Sequence, residues 1–163
     1  MERFHVERSD PRERLAALAV RHGLPRAAPQ QLWTILEAVA DEPASITSVR
    51  DPREGVEAHV ADSLAALDLA VVRQARRIAD LGSGAGFPGL VLAVAMPEAR
   101  VALVESVGRK CAFLDRAAAA AGLRNVEVVP ARAEAWADGL EVHDLVTARA
   151  LAPLNVLVLL ATA

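Results

Sequence analysis

The sequence predicts an α/β fold in which a helical N-terminal segment precedes a parallel sheet. Hydrophobic residues recur at helical spacing up to about residue 75. Beyond that point, short apolar runs alternate with helical stretches at intervals of about 25 residues, and a glycine-rich turn directly follows the first run. This alternation is typical of right-handed crossovers between parallel strands. We therefore expect residues 1–72 to form a helical extension packed on a sheet-containing core, residues 73–163.

Three helices are expected in the N-terminal segment. The first has a start signal in residues 9–11, where Ser9 or Asp10 precedes a proline, and a stop signal at Gly23. A second is expected from Pro29 and ends before residue 43, and a third begins at residues 51–54, which resemble a capping box. The apolar positions expected to face the core are Leu15, Leu18, Ala19, Trp33, Leu36, Val39, Val56, Val60, Leu64 and Leu67.

Four strands and their connecting helices are expected in the second segment. The strands are residues 77–81, 100–104, 125–129 and 144–147. One helix is expected from about residue 88 to residue 95, and another through residues 114–121 with a stop at Gly122. A further helix is expected from Pro153 onward.

Length and composition exclude several classes of protein. The 163 residues suit one domain, and a net charge of −3 gives no support to a nucleic-acid partner. The longest charge-free stretch, residues 81–97, is broken by glycines and by Pro88, so no membrane-spanning helix is expected. The charged N-terminus does not resemble a signal peptide. A single cysteine, Cys111, excludes internal disulfides and a cysteine-based zinc cluster, so we expect a cytoplasmic protein without a metal.

The segment 80–89, DLGSGAGFPG, carries the candidate binding site. Glycines after a strand let the backbone approach a ligand, and the amides at the start of the next helix carry partial positive charge. The last six residues fit the dinucleotide pattern G-x-G-x-x-G. Asp80, Gly82, Gly84 and Gly86 together fit the acidic-x-G-x-G-x-G turn of methyltransferases that use S-adenosylmethionine. The second pattern explains more positions and is favoured; an NAD(P)-dependent oxidoreductase is the less favoured alternative.

Glu105 is the candidate acid for a cofactor ribose. Both patterns expect an acidic residue about 20 positions further on, at the end of the second strand. Glu105 stands there, 21 residues after Gly84. A carboxylate suits this role because two vicinal hydroxyls can donate to its two oxygens. The alternative is a solvated acid at the end of a strand.

Several segments in order along the chain carry a family resemblance. They are residues 46–51 (ITSVRD), 59–63 (HVADS), 80–89, 97–98, 105–106, 109–110 with 113–114, 132–134 and 148–150. In these segments the chain resembles the RsmG (GidB) family, bacterial methyltransferases that modify N7 of a guanine in 16S ribosomal RNA. The resemblance implies a Rossmann-like, class I S-adenosylmethionine-dependent methyltransferase fold. It also implies S-adenosyl-L-methionine as the cofactor and the small ribosomal subunit as the partner.

The resemblance further implies which residues contact the cofactor. They are Gly82, Gly84, Gly86, Phe87, Glu105, Ala133, Glu134 and Arg149. Glu105 would hold the ribose, the backbone of residues 133–134 would flank the adenine, and Arg149 would lie beside the methionine end. The alternatives are a core role for Phe87 and a structural salt bridge for Arg149.

The resemblance also implies three residues for the RNA side of the site. His59 and Asp62, with Ser63, share one side of the third helix, and Arg132 follows the third strand. The alternatives are a hydrogen-bond network on the helix surface for the first three residues and a surface ion pair with Glu134 for Arg132.

The implied reaction predicts no catalytic side chain. Guanine N7 carries an in-plane lone pair at neutral pH, so no residue must remove a proton before attack. Catalysis would then come mainly from alignment, an effect worth up to ~7–11 kcal/mol.

The resemblance also sets an expectation about chain length. A sheet of the implied kind has seven strands, whereas four are predicted here, so the chain is expected to be a fragment of a longer protein. The alternatives are that a partner supplies the missing strands or that the protein has lost its activity. For the function, the alternative to methyl transfer is a cofactor-binding fragment without catalytic activity.

Overall fold

A four-stranded parallel sheet forms the centre of the computed structural model, which describes residues 10–139 and 141–149. The strands are β1 (Arg77–Leu81), β2 (Arg100–Val104), β3 (Val126–Val129) and β4 (Leu145–Ala148). Their order across the sheet is β3-β2-β1-β4. Strands are added on one side of β1 as far as β3, and β4 then pairs on the other side. In open parallel sheets, ligands bind outside the carboxyl ends of the strands at such a reversal point.

Helices precede the sheet and connect its strands. They are α1 (Pro11–His22), α2 (Ala28–Asp41), α3 (Pro52–Gly55), α4 (Asp62–Ala65), α5 (Ala70–Gln74), α6 (Gly89–Ala95) and α7 (Gly108–Ala120). A π-helical stretch, Val56–Ala61, joins α3 to α4, and a 3-10 turn, Ala66–Asp68, follows α4. Residues 52–68 therefore form one continuous helical run. Two further 3-10 turns, Ala133–Ala135 and Ala137–Gly139, lie between β3 and β4.

The helix start and stop signals act as the sequence predicts. The Asp10 carboxylate accepts a hydrogen bond from the Arg12 amide at 2.9 Å, which caps α1, and Gly23 ends α1 with a φ of 67°. The Asp51 carboxylate accepts from the Arg53 amide at 2.8 Å and caps α3 in the same way. Each cap satisfies an amide that has no partner within its own helix.

One hydrophobic core spans the N-terminal helices and one face of the sheet. It includes Leu15, Leu32, Leu36, Val60 and Leu64 from the helical segment, and Ile78, Leu90, Val101, Leu103, Phe113 and Leu114 from the sheet and its crossover helices. The predicted core positions are buried except Trp33, which is half-buried with the Arg12 guanidinium 4.6 Å from its ring centroid. The helical segment thus packs directly on the sheet layer.

A smaller apolar cluster lies on the opposite face of the sheet. Ala79, Leu81 and Val104 are buried there, and Trp136 packs against them from the connection between β3 and β4. Trp136 therefore anchors this connection by packing.

The α/β parallel fold is confirmed, with small differences at the element ends. The strands β3 and β4 each begin one residue later than predicted, at residues 126 and 145. The short helix α5 was not predicted, because five residues are too few to show a hydrophobic period. The helix expected from Pro153 lies outside the described residues. In the described part of the chain, no helix combines the length and apolar character needed to cross a membrane.

Candidate functional site

The candidate site lies at the carboxyl ends of β1, β2 and β4. The glycine-rich loop follows β1, Glu105 follows β2 and Arg149 follows β4. Because the three strands are parallel neighbours, their carboxyl ends meet at one edge of the sheet. This edge includes the reversal point between β1 and β4, where the fold predicts a ligand.

The glycine-rich loop makes a tight turn that glycine permits. Gly82, Gly84 and Gly86 have φ values of 66°, 59° and 91°, in the left-handed region that favours glycine. The amides of Gly82 and Ser83 donate to the Val104 carbonyl at 2.8 and 3.1 Å. The turn is therefore fastened to the end of β2, beside Glu105.

The glycines of the loop serve two different purposes. A Cβ at Gly86 would overlap Leu90, and a Cβ at Gly89 would lie 2.7 Å from the Asp80 carboxylate, so these two glycines allow close packing of α6. Among the described residues, a Cβ at Gly84 would meet only the Gly82 carbonyl oxygen, at 3.7 Å. Gly84 therefore faces open space at the carboxyl edge of the sheet.

The Glu105 side chain is buried and held by backbone amides. It is 5% exposed; its Oε2 accepts from the Gly84 amide at 3.0 Å and its Oε1 accepts from the Val107 amide at 2.9 Å. Each carboxylate oxygen has two lone-pair sites, so each retains one after these bonds. The carboxylate is therefore oriented toward the glycine-rich loop and keeps the capacity to accept two hydroxyl donors.

Asp80 joins the loop to two neighbouring elements. It is 1% exposed; its Oδ2 accepts from the Gly89 amide at 3.2 Å and its Oδ1 accepts from the Thr147 hydroxyl at 2.9 Å. Burial raises the pKa of Asp80 to about 6, although both hydrogen bonds favour the ionised form. The acid of the sequence pattern thus ties β1 to α6 and to β4.

The expectation that the amides at the start of α6 face a ligand was wrong. The Gly89 amide donates to Asp80, and the Leu90 amide donates to the Gly86 carbonyl at 2.7 Å. A buried carboxylate needs hydrogen-bond donors, and the first amide of α6 supplies one of them. These two amides at the start of α6 are therefore occupied by the protein itself and are not free to bind a phosphate.

His59, Phe87 and Arg149 come together at the edge of the site. The His59 and Phe87 rings stack with centroids 4.3 Å apart and an interplanar angle of 8°. The Arg149 guanidinium lies 5.8 Å from the Phe87 ring centroid and 3.3 Å from the Asp62 carboxylate. These four residues, predicted from separate segments, form one cluster that we call the His59 cluster. Phe87 also belongs to the main hydrophobic core.

The residues predicted near the adenine lie on the turn after β3. Ala133 packs against the smaller apolar cluster, and Glu134 is exposed. Arg132 is exposed too, and its guanidinium lies 3.7 Å from the Glu134 carboxylate. The surface ion pair is therefore present, while the cofactor and RNA roles of these three residues stay predictions.

Sequence reasoning missed two contributors to the site. The Thr147 hydroxyl binds Asp80, and the Val49 carbonyl lies 3.0 Å from His59 Nε2. Only the pairing register of β1 with β4, which sets Asp80 opposite Thr147, would have revealed the first. The Val49 contact is made by a backbone carbonyl, which every residue has, so no pattern in the sequence could have predicted it. Cys111 is buried.

Two tests of ligand chemistry follow from this geometry. The described residues contain no group of three or more His, Cys, Asp or Glu side chains that is suited to hold a metal ion. The open space at Gly84, next to the oriented Glu105 carboxylate, fits a nucleoside whose ribose lies against the loop. The residues present therefore fit S-adenosylmethionine, which carries a ribose and no phosphate.

Comparison with known proteins identifies the family. The family model for rRNA small subunit methyltransferase G matches residues 30–163. Ribosomal RNA small subunit methyltransferase G of Solibacter usitatus is 46% identical over 113 residues, which cover 68% of this chain and 51% of that protein. The protein of the same name from Rubrobacter xylanophilus is 39% identical over 160 residues, which cover 94% of this chain and 61% of that protein.

A third relative gives the same result over a similar range. Ribosomal RNA small subunit methyltransferase G of Sorangium cellulosum is 43% identical over 151 residues, covering 90% of this chain and 62% of that protein. The chain spans about half the length of the first of these curated relatives. Since the family match covers most of the chain, including every predicted site residue, the chain belongs to the rRNA small subunit methyltransferase G family.

Proposed function

We propose that the chain binds S-adenosyl-L-methionine at the carboxyl ends of β1, β2 and β4. We further propose that it acts in methyl transfer to N7 of a guanine in the 16S rRNA of the small ribosomal subunit, a reaction of the cytoplasm. The observation that carries the proposal is the pairing of Glu105 with Gly84. A buried carboxylate is held 3.0 Å from the loop amide, while the space in front of that glycine stays open.

Each residue of the proposed cofactor site has a chemical role. Glu105 would accept hydrogen bonds from the ribose hydroxyls, and the backbone of residues 133–134 would flank the adenine. Gly82, Gly84 and Gly86 would let the loop approach the nucleoside. Their role rests on positive φ values, which other residues adopt at a cost.

The methionine end would lie by the His59 cluster. Arg149 supplies a cation for the amino acid carboxylate, and Phe87 supplies an apolar wall at the end of the loop. When bound, S-adenosylmethionine supplies an electrophilic methyl group on a positively charged sulfur. The chain's own contribution is to orient the reactants and exclude water.

The titratable groups nearest the site support a mechanism without a general base. Asp80 accepts hydrogen bonds at both carboxylate oxygens, and both ring nitrogens of His59 have partners. Guanine N7 needs no deprotonation before it attacks. We therefore propose that no residue of this site acts as an obligatory base.

The geometry disfavours the dinucleotide alternative. A pyrophosphate in a dinucleotide fold sits on free amides at the start of the first crossover helix. Here the Gly89 amide is bound to Asp80 and the Leu90 amide to the Gly86 carbonyl. These two amides are therefore not available to a pyrophosphate.

We also propose that residues 1–72 act as an extension of a single core rather than as an independent unit. Leu36 of α2 and Leu64 of α4 lie in the same buried cluster as Leu90 and Leu114. Removing the extension would expose the apolar face of the sheet layer.

Transfer of radioactivity from tritium-labelled S-adenosylmethionine tests the proposed reaction. The substrate is small ribosomal subunits from a strain that lacks the family's enzyme. We expect labelled N7-methylguanine in 16S rRNA after digestion. Label at another nucleotide would contradict the proposal. The absence of label, together with a failure of the chain to bind the cofactor, would also contradict it.

Two glycine variants provide a matched control for that experiment. Gly84 and Gly122 have φ values of 59° and 68°, and neither would clash after addition of a Cβ. Gly84→Ala and Gly122→Ala should therefore cost a similar ~1 kcal/mol of stability. Only Gly84→Ala adds a Cβ to the glycine-rich loop of the proposed site, so we expect it alone to abolish transfer. Equal activity of the two variants would contradict the proposed site.

Tight binding of S-adenosylhomocysteine combined with no tritium incorporation would instead identify a cofactor-binding module without transfer activity.

A further inference from the structure

Both ring nitrogens of His59 have partners that determine its protonation. His59 is 3% exposed, and its Nε2 lies 3.0 Å from the Val49 carbonyl oxygen, which can only accept a hydrogen bond. Its Nδ1 lies 3.3 Å from an Arg149 guanidinium nitrogen, which can only donate. His59 must therefore carry its hydrogen on Nε2 and a lone pair on Nδ1.

The second partner, Arg149, is held by one side of the helical run. Its guanidinium donates to the Ala58 carbonyl and to the Asp62 carboxylate, both at 3.3 Å, in addition to His59. Arg149 is the first residue after β4, so its side chain crosses from the sheet to the helical segment. The ring of Phe87 lies beside it and stacks on His59.

We propose that His59 is a positioning residue, which accepts a hydrogen bond from Arg149 at Nδ1 and thereby holds the guanidinium beside Phe87. The inference rests on the proposed function, because it concerns the methionine end of that site. It assigns His59 a role different from the RNA contact that the family resemblance implies. A buried ring with both nitrogens occupied has no polar atom left for a substrate.

The surroundings of His59 favour its neutral form. Burial lowers the pKa of His59, and the neighbouring Arg149 charge lowers it further, against the opposing effects of the backbone hydrogen bonds with Val49 and Ala58 and of the Asp62 charge. A proton on Nδ1 would point at the guanidinium and break the contact. Without this hydrogen bond, the described residues that still bind the Arg149 guanidinium would be Ala58, through its carbonyl, and Asp62, through its carboxylate.

Two substitutions at His59 separate its two hydrogen bonds. In His59→Asn the side-chain oxygen replaces Nδ1 as the acceptor for Arg149, and the contact with Val49 is lost. In His59→Gln the terminal amide nitrogen replaces Nε2 as the donor to Val49, and the acceptor for Arg149 is lost. A purely structural histidine would respond in the same way to both changes.

The first readout is S-adenosylhomocysteine affinity by titration calorimetry on the full chain. We expect His59→Asn to bind within about threefold of the wild type and His59→Gln to bind about tenfold more weakly, the effect of one lost hydrogen bond. His22→Asn is the control, because His22 is a buried histidine near Asp68 and Arg73 rather than at the site. Thermal unfolding of each variant reports its fold. Equal affinities of the two His59 variants, whether high or low, would overturn the proposal.

The second readout needs no cofactor. Ring ¹⁵N chemical shifts of the labelled wild-type protein at pH 7, assigned by the loss of a signal in His59→Asn, report the tautomer directly. We expect His59 to be neutral with its hydrogen on Nε2. A hydrogen on Nδ1, or a doubly protonated ring, would overturn the proposal. If the wild type fails to bind S-adenosylhomocysteine, the proposed function fails, while the tautomer still decides the contact between His59 and Arg149.

Discussion

At the scale of single residues, Asp80 shows that an acid in a ligand-binding sequence pattern can have a structural role. The pattern of an acid before three glycines predicts a cofactor turn, yet the Asp80 carboxylate faces inward. It binds the Gly89 amide and the Thr147 hydroxyl and so joins α6 and β4 to β1. The acid therefore shapes the turn, and Glu105, further along the chain, faces the space at Gly84.

The raised pKa of Asp80 predicts a specific dependence of stability on pH. Burial raises that pKa from 3.8 to about 6, so between these values the folded protein binds more protons than the unfolded chain. The stability that Asp80 contributes is thus full below about pH 3.8 and is lost as the pH rises through about 6. Over that window the loss amounts to about 3 kcal/mol.

Urea unfolding of the wild type and of Asp80→Asn across this window measures the effect. Asparagine keeps an acceptor for Gly89 and a polar group for Thr147 but does not ionise. We expect the free energy of unfolding of the wild type, minus that of Asp80→Asn, to fall from pH 4 to pH 6.5 and then level off. A difference that is constant or rises with pH would contradict a buried Asp80.

At the scale of elements, the joint between β1 and β4 sets the geometry of the site. The Asp144 carboxylate accepts from the amides of Arg76 and Arg77, with the shortest contacts at 2.9 Å, and so fastens the start of β4 to the start of β1. At the other end, Thr147 binds Asp80. These contacts fix the register that brings Arg149 next to the glycine-rich loop.

Removing the contact of the Asp144 carboxylate with the amides of Arg76 and Arg77 should loosen β4 selectively. Burial acts to raise the pKa of Asp144, but the amide hydrogen bonds from Arg76 and Arg77 outweigh it, so the pKa lies below its ordinary value. We expect Asp144→Ala to lower the free energy of unfolding by about 1 kcal/mol. We also expect it to reduce hydrogen-exchange protection of the β4 amides.

Asp138→Ala is the matched control for this prediction. Asp138 is exposed on the neighbouring 3-10 turn, and within the described ranges its carboxylate accepts no hydrogen bond. We expect its stability and exchange to match the wild type. Equal effects of the two substitutions would show that Asp144 does not fasten the two strands.

Element positions were predictable from the sequence, whereas pairing was not. Hydrophobic period and capping signals predicted α1 and β1 at their observed ends, because these signals are local. The pairing of β4 with β1 and the contact of Thr147 with Asp80 join residues 67 positions apart. No local pattern records such a contact.

At the scale of the whole molecule, two layers share one core and create the site at their common edge. The helical segment supplies His59 and Asp62, and the sheet supplies the glycine-rich loop, Glu105 and Arg149. Sequence motifs identified these residues because their spacing fits a family pattern. The motifs did not reveal that His59, Asp62 and Arg149 bind one another, since that contact joins separate layers.

The proposed function requires that S-adenosylmethionine binds at the Gly84 loop and the Glu105 carboxylate. Titration calorimetry of the folded chain with S-adenosylhomocysteine, with NADH as the comparison ligand, tests it most directly. We expect one binding site for S-adenosylhomocysteine, no heat of binding with NADH, and at least about tenfold weaker binding by Gly84→Ala than by Gly122→Ala. Saturable binding of NADH, or no binding of S-adenosylhomocysteine by the folded wild-type chain, would contradict it.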